Sequence, residues 1–297
     1  MNFVHKQMPN ENEITALVDL LEDPDELIFD QIKHKLIEIG PNVIPHLENA
    51  WEKKNFGLLF QNRVESLIHD IQYKDLLQTI SKWTRSPIEL IDGVLLINKY
   101  QYPTLKRKEI EDLFQLIAND VRSQISEHMT GIEKVMAINH ILFEVYQFKG
   151  DNKNYHHPKN SYLNEVLKSK KGNPLLLSII YLEIAKRINL PIKGINLPNH
   201  FVIGFLDEEY KKPIMPDDSD SYGILFYINP FSKGVILHQD EIADFLRDLN
   251  LAQKPKYFKP CNNVAIVKRI LTNLIYNYSK MNKPDKADEL KKIISLF

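Results

Sequence analysis

Apolar positions in the first half of the chain recur at three- and four-residue spacing. Ile14, Leu17, Val18 and Leu21 make the first such stripe, and Leu27, Ile28, Ile32, Leu36 and Ile39 the second. Spacing of this kind puts the apolar side chains on one face of a helix. Asp23-Pro24-Asp25 and Gly40-Pro41 interrupt the pattern, and Val43, Ile44, Leu47, Ala50 and Trp51 resume it. The order over residues 23–53 resembles one HEAT-type helical pair. A plain helical hairpin packed on its neighbours is the simpler reading, because repeat arrays need several units. Further helices are predicted over 57–83, 88–97, 106–126 and 132–146, each with an apolar face.

The texture then changes. Residues 151–161 are polar and rich in turn formers. A short helix over Tyr162 to Leu167 follows, then the sharply specified start Lys171-Gly172-Asn173-Pro174. Gly172 suits a tight turn, Asn173 a helix N-cap and Pro174 the first helical position. The run from Leu175 to Ala185 is apolar nearly all round, which predicts a buried helix. Beyond Leu190-Pro191 the period drops to two. Strands are predicted over 192–197, 200–206 and 223–231, with a fourth at 234–237, and a charged loop over 208–222. Helices return over 240–249, 264–278 and 284–296. Helices first, then a buried helix feeding an antiparallel sheet, then a closing helical hairpin argue an α+β fold. The expected parts are a helical region over 1–130, a core over 131–250 and a hairpin over 251–297.

Composition adds limits. Hydrophobic residues make up 43% of the 297 and charged ones 26%, as in ordinary globular chains. A net charge of -1 gives no reason to expect nucleic acid or an anionic membrane as partner. No window approaches a membrane span, and the first ten residues lack the apolar core of a signal peptide. The single cysteine, Cys261, excludes an internal disulfide and a multi-cysteine metal site. These features lead to an expectation of a cytoplasmic protein with no metal and no cofactor.

Four motifs in order carry a family likeness: Asn160-Ser161-Tyr162-Leu163-Asn164, Lys171-Gly172-Asn173-Pro174, Leu197-Pro198-Asn199-His200-Phe201 and Asn229-Pro230-Phe231. Together they resemble the transglutaminase-like superfamily, in particular its SirB-type bacterial branch, whose helical tail is similar to a tetratricopeptide hairpin. The likeness is strong over roughly 140–235. Active members of the superfamily use Cys at a helix start, then His, then Asp. The resemblance places Pro174 at the cysteine position, since Pro191 follows it by 17 residues, as the Gly-Ile-Pro of the family follows its cysteine. It places His200 at the histidine and Asn229 at the acid.

A helix start favours a thiolate, and a histidine completes the nucleophile–base pair. Pro174 has neither sulfur nor N–H. The change at Asn229 is milder, because Cys-His-Asn sites function elsewhere. The resemblance therefore implies a protein without catalysis that binds a peptide or protein partner, with Asn173, His200, Asn229, Asn160, Tyr155 and His157 as candidate binding residues. One alternative is a hydrolase or acyltransferase with a relocated nucleophile, Cys261 working with His200. Another is a helical scaffold whose N-terminal region is the working surface.

Other residues have plainer readings. Ser178 is expected to bond back to the carbonyl four residues earlier rather than act as a nucleophile. Tyr155-His156-His157 and His238 lack the spacing of a metal site. Lys168, Lys170 and Lys171 read as a solvated charge run that could alternatively favour an anion at the helix start.

Overall fold

The computed structural model describes residues 10–52, 57–207 and 223–297. The charged loop expected over 208–222 lies outside them. Two compact units divide the chain, one ending at Lys82 and the other running from Trp83 to Phe297.

The first unit holds α1 (Glu11–Asp19), α2 (Glu26–Ile39), α3 (Ile44–Glu52) and most of α4 (Leu58–Arg85). Asn10 and Glu13 close α1 with a reciprocal capping box, and the Asp25 side chain caps α2. Each cap satisfies N–H groups that a helix start leaves open. The apolar stripes meet in one core that includes Leu21, Leu36, Val43, Leu47, Phe60, Val64 and Leu67. Arg63 is buried beside it. Its guanidinium donates to the carbonyls of Leu21 at 3.0 Å and Asp23 at 2.6 Å, and to Glu26 at 2.7 Å.

The second unit opens with α5 (Leu90–Lys99), α6 (Arg107–Arg122) and α7 (Gly131–Asn139). The helix expected through Tyr146 widens at His140–Val145 into a π-type turn. A two-residue strand, β1 (Lys149–Gly150), precedes α8 (Leu163–Ser169). It pairs in parallel with β2 (Lys171–Gly172), a contact that the antiparallel expectation did not contain. The left-handed residue here is Lys170, with φ 58. Gly172 serves another end, since a Cβ there would meet Val166 Cγ1 at 2.9 Å. Close approach, not a turn, requires this glycine.

Helix α9 (Pro174–Arg187) follows at once, and every residue from Pro174 to Ala185 is buried. The strands β3 (Ile192–Leu197), β4 (His200–Leu206), β5 (Ile224–Asn229) and β6 (Val235–Leu237) form one antiparallel sheet in chain order. Leu197 pairs with His200 across the Pro198-Asn199 turn. The sheet is covered on both faces. Val202, Ile195, Leu197 and Tyr227 pack with Ile242 and Leu246 of α10 (Gln239–Asp248). The alternate side chains of β4 face α9, since neighbouring residues of a strand point to opposite sides. Burial on both faces explains why Phe201 to Phe205 reads as continuous apolar sequence.

The hairpin α11 (Asn263–Lys280) and α12 (Pro284–Ile294) completes the unit. Ile266, Val267, Ile270, Leu271 and Leu274 bury one face of α11. A polar network fixes its far end. The Tyr162 and Tyr278 hydroxyls lie 3.1 Å apart, Tyr278 donates to Gln101 at 3.3 Å, and Tyr100 donates to Glu289 of α12 at 2.6 Å. Burial holds the Tyr162 phenol far above its ordinary pKa, so the network is neutral at its centre. Among the described residues, no helix is long and apolar enough to cross a membrane.

Candidate functional site

The start of α9, the β3–β4 turn, the loop after β1 and one face of α11 enclose a cleft of about 480 Å³ within the second unit. Pro174, His200 and Tyr155 line it together, as do Asn173, His156, Arg269, Asn273, Tyr276 and Asn277. The sequence-predicted residues divide into those that face this space and those that do not.

Asn173 borders the cleft with its amide already engaged. Its Oδ1 accepts from the Leu176 N–H at 2.9 Å and its Nδ2 donates to Ser161 Oγ at 3.0 Å. It is the helix cap the sequence predicts, and it also ties the helix start to the preceding turn. Asn160 and His157 line a different depression, with Asp151, Lys168 and Lys171. There Asn160 Nδ2 donates to Asp151 and to the Asn154 carbonyl, and His157 Nδ1 accepts from the Lys159 N–H. Both shape the loop rather than face the cleft. Lys170 lies over the Phe148 ring at 4.4 Å.

His200 is half-buried between two rings, Phe231 at 6.3 Å and Phe245 at 5.8 Å. Burial lowers its pKa, the Asn229 side chain opposes that shift, and the positive charge of Arg269 adds to it. Asn229 also closes the turn after β5. Its Oδ1 accepts from the Phe231 N–H at 3.1 Å and its Nδ2 donates to Ser232 at 3.2 Å. Aromatic rings continue along the rim: Tyr155 meets Phe231 edge-on at 5.8 Å, and His156 packs on Tyr276 at 5.2 Å.

The depressed imidazole has a stability consequence. The unfolded chain takes up a proton at His200 below about pH 6.5, whereas the folded chain resists until a lower pH. The stabilisation is full above the unfolded-state value and is lost as pH falls from there through the folded pKa. The melting temperature of His200→Gln should therefore fall less steeply than that of the native chain between pH 7 and 5. Parallel melting curves would show that His200 is not held neutral by the fold.

Nucleophiles are scarce in this cleft. The Thr272 hydroxyl donates to the Lys268 carbonyl at 2.9 Å. Burial raises the Tyr155 pKa, against the pull of Arg269. Cys261 is elsewhere, in a depression with Glu183, Lys186 and Ile266. Its N–H donates to the Gly194 carbonyl at 2.8 Å, on β3, an edge strand of the sheet. Gly194 lies three residues from Leu197, roughly 10 Å along the strand. Burial pushes the thiol up to about 12, so little thiolate exists near neutrality. The structure does not bring Cys261 to His200. Ser178 differs from its expectation, because its buried Oγ has no hydrogen-bond partner among the described residues.

Sequence reading missed Arg269, Asn273 and Asn277. The available signal was a polar stripe at four-residue spacing on a helix whose other face is apolar. It also missed Phe231, whose ring lies against both His200 and Tyr155.

Comparison with known proteins extends the geometry. A family model described as "Transglutaminase-like superfamily" matches residues 108–272. A UPF0162 protein of Xylella fastidiosa (strain 9a5c) is 32% identical over 209 residues, covering 67% of this chain and 68% of its own. A UPF0162 protein of Vibrio cholerae is 24% identical over 190 residues, covering 63% and 65%. F-box only protein 21 of Mus musculus is 23% identical over 233 residues, covering 78% of this chain and 33% of that protein. No solved structure gives a significant match.

Proposed function

The chain belongs to the transglutaminase-like superfamily, and on that premise we propose that it is a non-catalytic member of the SirB-type branch that binds a peptide or protein partner in the cleft. One observation carries this reading: the helix start that shares the cleft with His200 bears Pro174. The position where the superfamily holds its thiol has no nucleophilic atom, and loss of a triad nucleophile costs about 10⁶ in turnover in a measured protease. Two of the nearby hydroxyls are poorly placed to replace it. Thr272 is bonded to its own helix, and the Tyr155 phenol is held protonated. What the cleft retains is a recognition surface of rings, amides and one guanidinium. The α11–α12 hairpin stands in the place of the tetratricopeptide-like tail of that branch.

The test is turnover by the full chain. Incubation with dimethylated casein and a fluorescent primary amine, and with acetylated peptides, should give no amine transfer and no amide hydrolysis above the rate without protein. Turnover that disappears in His200→Ala would overturn the proposal.

A further inference from the structure

The wall of the cleft formed by α11 presents two polar side chains of different chemistry that the described residues do not fully engage. Arg269 is half-buried, and among the described residues only its Nη1 has partners, the Asn196 side chain and the Leu197 carbonyl, each at 3.3 Å. No described carboxylate pairs with it, and no Asp or Glu among the described residues lines the cleft. A guanidinium taken partly out of water without a counter-charge is costly, and its planar fork matches a carboxylate. Two turns further on, Asn277 is 4% exposed. Its amide borders the cleft and makes no hydrogen bond to another described residue. A buried amide needs both a donor and an acceptor opposite it.

We propose that this wall reads the end of a peptide chain, with a carboxylate on Arg269 and a main-chain amide on Asn277. The inference rests on the reading of the cleft as a peptide site. It follows from matching the two groups at once. Phosphate or a lone carboxylate satisfies the guanidinium but only accepts, so it leaves Asn277 Oδ1 without a donor. A peptide unit supplies the N–H and the C=O together. The spacing agrees: eight residues of helix rise about 12 Å, which an extended peptide covers in roughly four residues. Asn273 lies between them on the same face, one turn from each. A tetrapeptide thus spans the wall from its carboxylate at Arg269 to an amide at Asn277. The carboxylate is either the chain terminus or the side chain of a final acidic residue.

Fluorescence anisotropy with N-terminally fluorescein-labelled, randomised tetrapeptide pools tests this on the native chain. Three pools are needed: free acid, C-terminal amide, and C-terminal amide with Glu fixed at the last position. The free-acid pool, the Glu pool or both should bind at least about tenfold more tightly than the plain amide pool, the scale of a charge-assisted hydrogen bond. Preference for the free-acid pool identifies the chain terminus as the source of the carboxylate, and preference for the Glu pool identifies the side chain. Arg269→Gln should bring the preferred pool down to the amide level, while Asn277→Leu weakens all pools. Equal binding of all three pools by the native chain would overturn the carboxylate inference and leave the peptide reading standing. Binding of none would overturn both.

Discussion

Pro174→Cys should create a thiol at the start of α9 that alkylates far faster than Cys261. The substituted residue would keep the helix cap, because Asn173 accepts from Leu176 and not from position 174. It would also regain an N–H at a helical position that needs no intrahelical partner. The N-terminal end of a buried 14-residue helix favours the thiolate. Cys261 serves as the control in the same molecule, since burial holds its thiol near 12. Lower thiol pKa values reduce intrinsic nucleophilicity only in part, so a rate ratio of about 10³ with iodoacetamide at pH 7 is expected. The neighbouring imidazole gives a second readout. With an activated ester as substrate, adding His200→Ala to Pro174→Cys should slow acylation by about 10²-fold, the range for a positioned general base. Peptide mapping by mass spectrometry separates the two sites. Equal labelling of position 174 and Cys261 would show that the helix start is no place for a nucleophile, and the correspondence of Pro174 with the family cysteine would fail.

Gly234→Ala should lower the melting temperature by roughly 6–12 °C. Gly234 has φ 75, in the left-handed region that a Cβ disfavours. A Cβ built there would stand 2.0 Å from Asn139 Oδ1. Asn139 cannot retreat cheaply, because it joins three elements. Its Nδ2 donates to the Gly234 carbonyl at 2.9 Å, and its Oδ1 accepts from the Tyr181 hydroxyl at 3.1 Å. Backbone strain, overpacking and weakened hydrogen bonds together amount to about 3 kcal/mol, and each kcal/mol shifts the melt by about 2–4 °C in a unit of this size. Asn139→Ala isolates the cause. In that background Gly234→Ala should cost only the backbone part, about 1 kcal/mol, and the cycle should show coupling between the two sites. A melt within about 1 °C of the native chain would mean that the turn after β5 adapts freely.

The sequence discloses most where local chemistry and burial agree. Gly172-Asn173-Pro174 marks the start of α9 to the residue, because cap, close packing and first helical position each demand a different side chain. The change from helical to alternating period after Pro191 marks the sheet, since Val202 and Tyr227 must reach α10. The α+β arrangement follows from these elements. The cleft is less legible. Tyr155, His157 and Asn160 come from a segment without a period, so nothing in their order says that only Tyr155 turns inward. Arg269 and Asn277 lie more than a hundred residues from the loop they face, and only the packing of α11 brings them there. The π-type turn at His140–Val145 leaves the apolar stripe unbroken, so it gives no sign in the pattern. Ser178 shows the limit of a statistical preference, as its hydroxyl has not taken the carbonyl one turn back.

The tyrosine network around Tyr162 and Tyr278 has a consequence for descent. It clamps α11 while the same helix offers Arg269 and Asn277 to the cleft. On the proposed reading of the cleft as a peptide site, α11 supplies one wall of that site, beside the start of α9, the β3–β4 turn and the loop after β1. If that reading holds, a lineage that exchanges its tail exchanges its ligand, even when every residue from Gly172 to Asn229 is inherited unchanged.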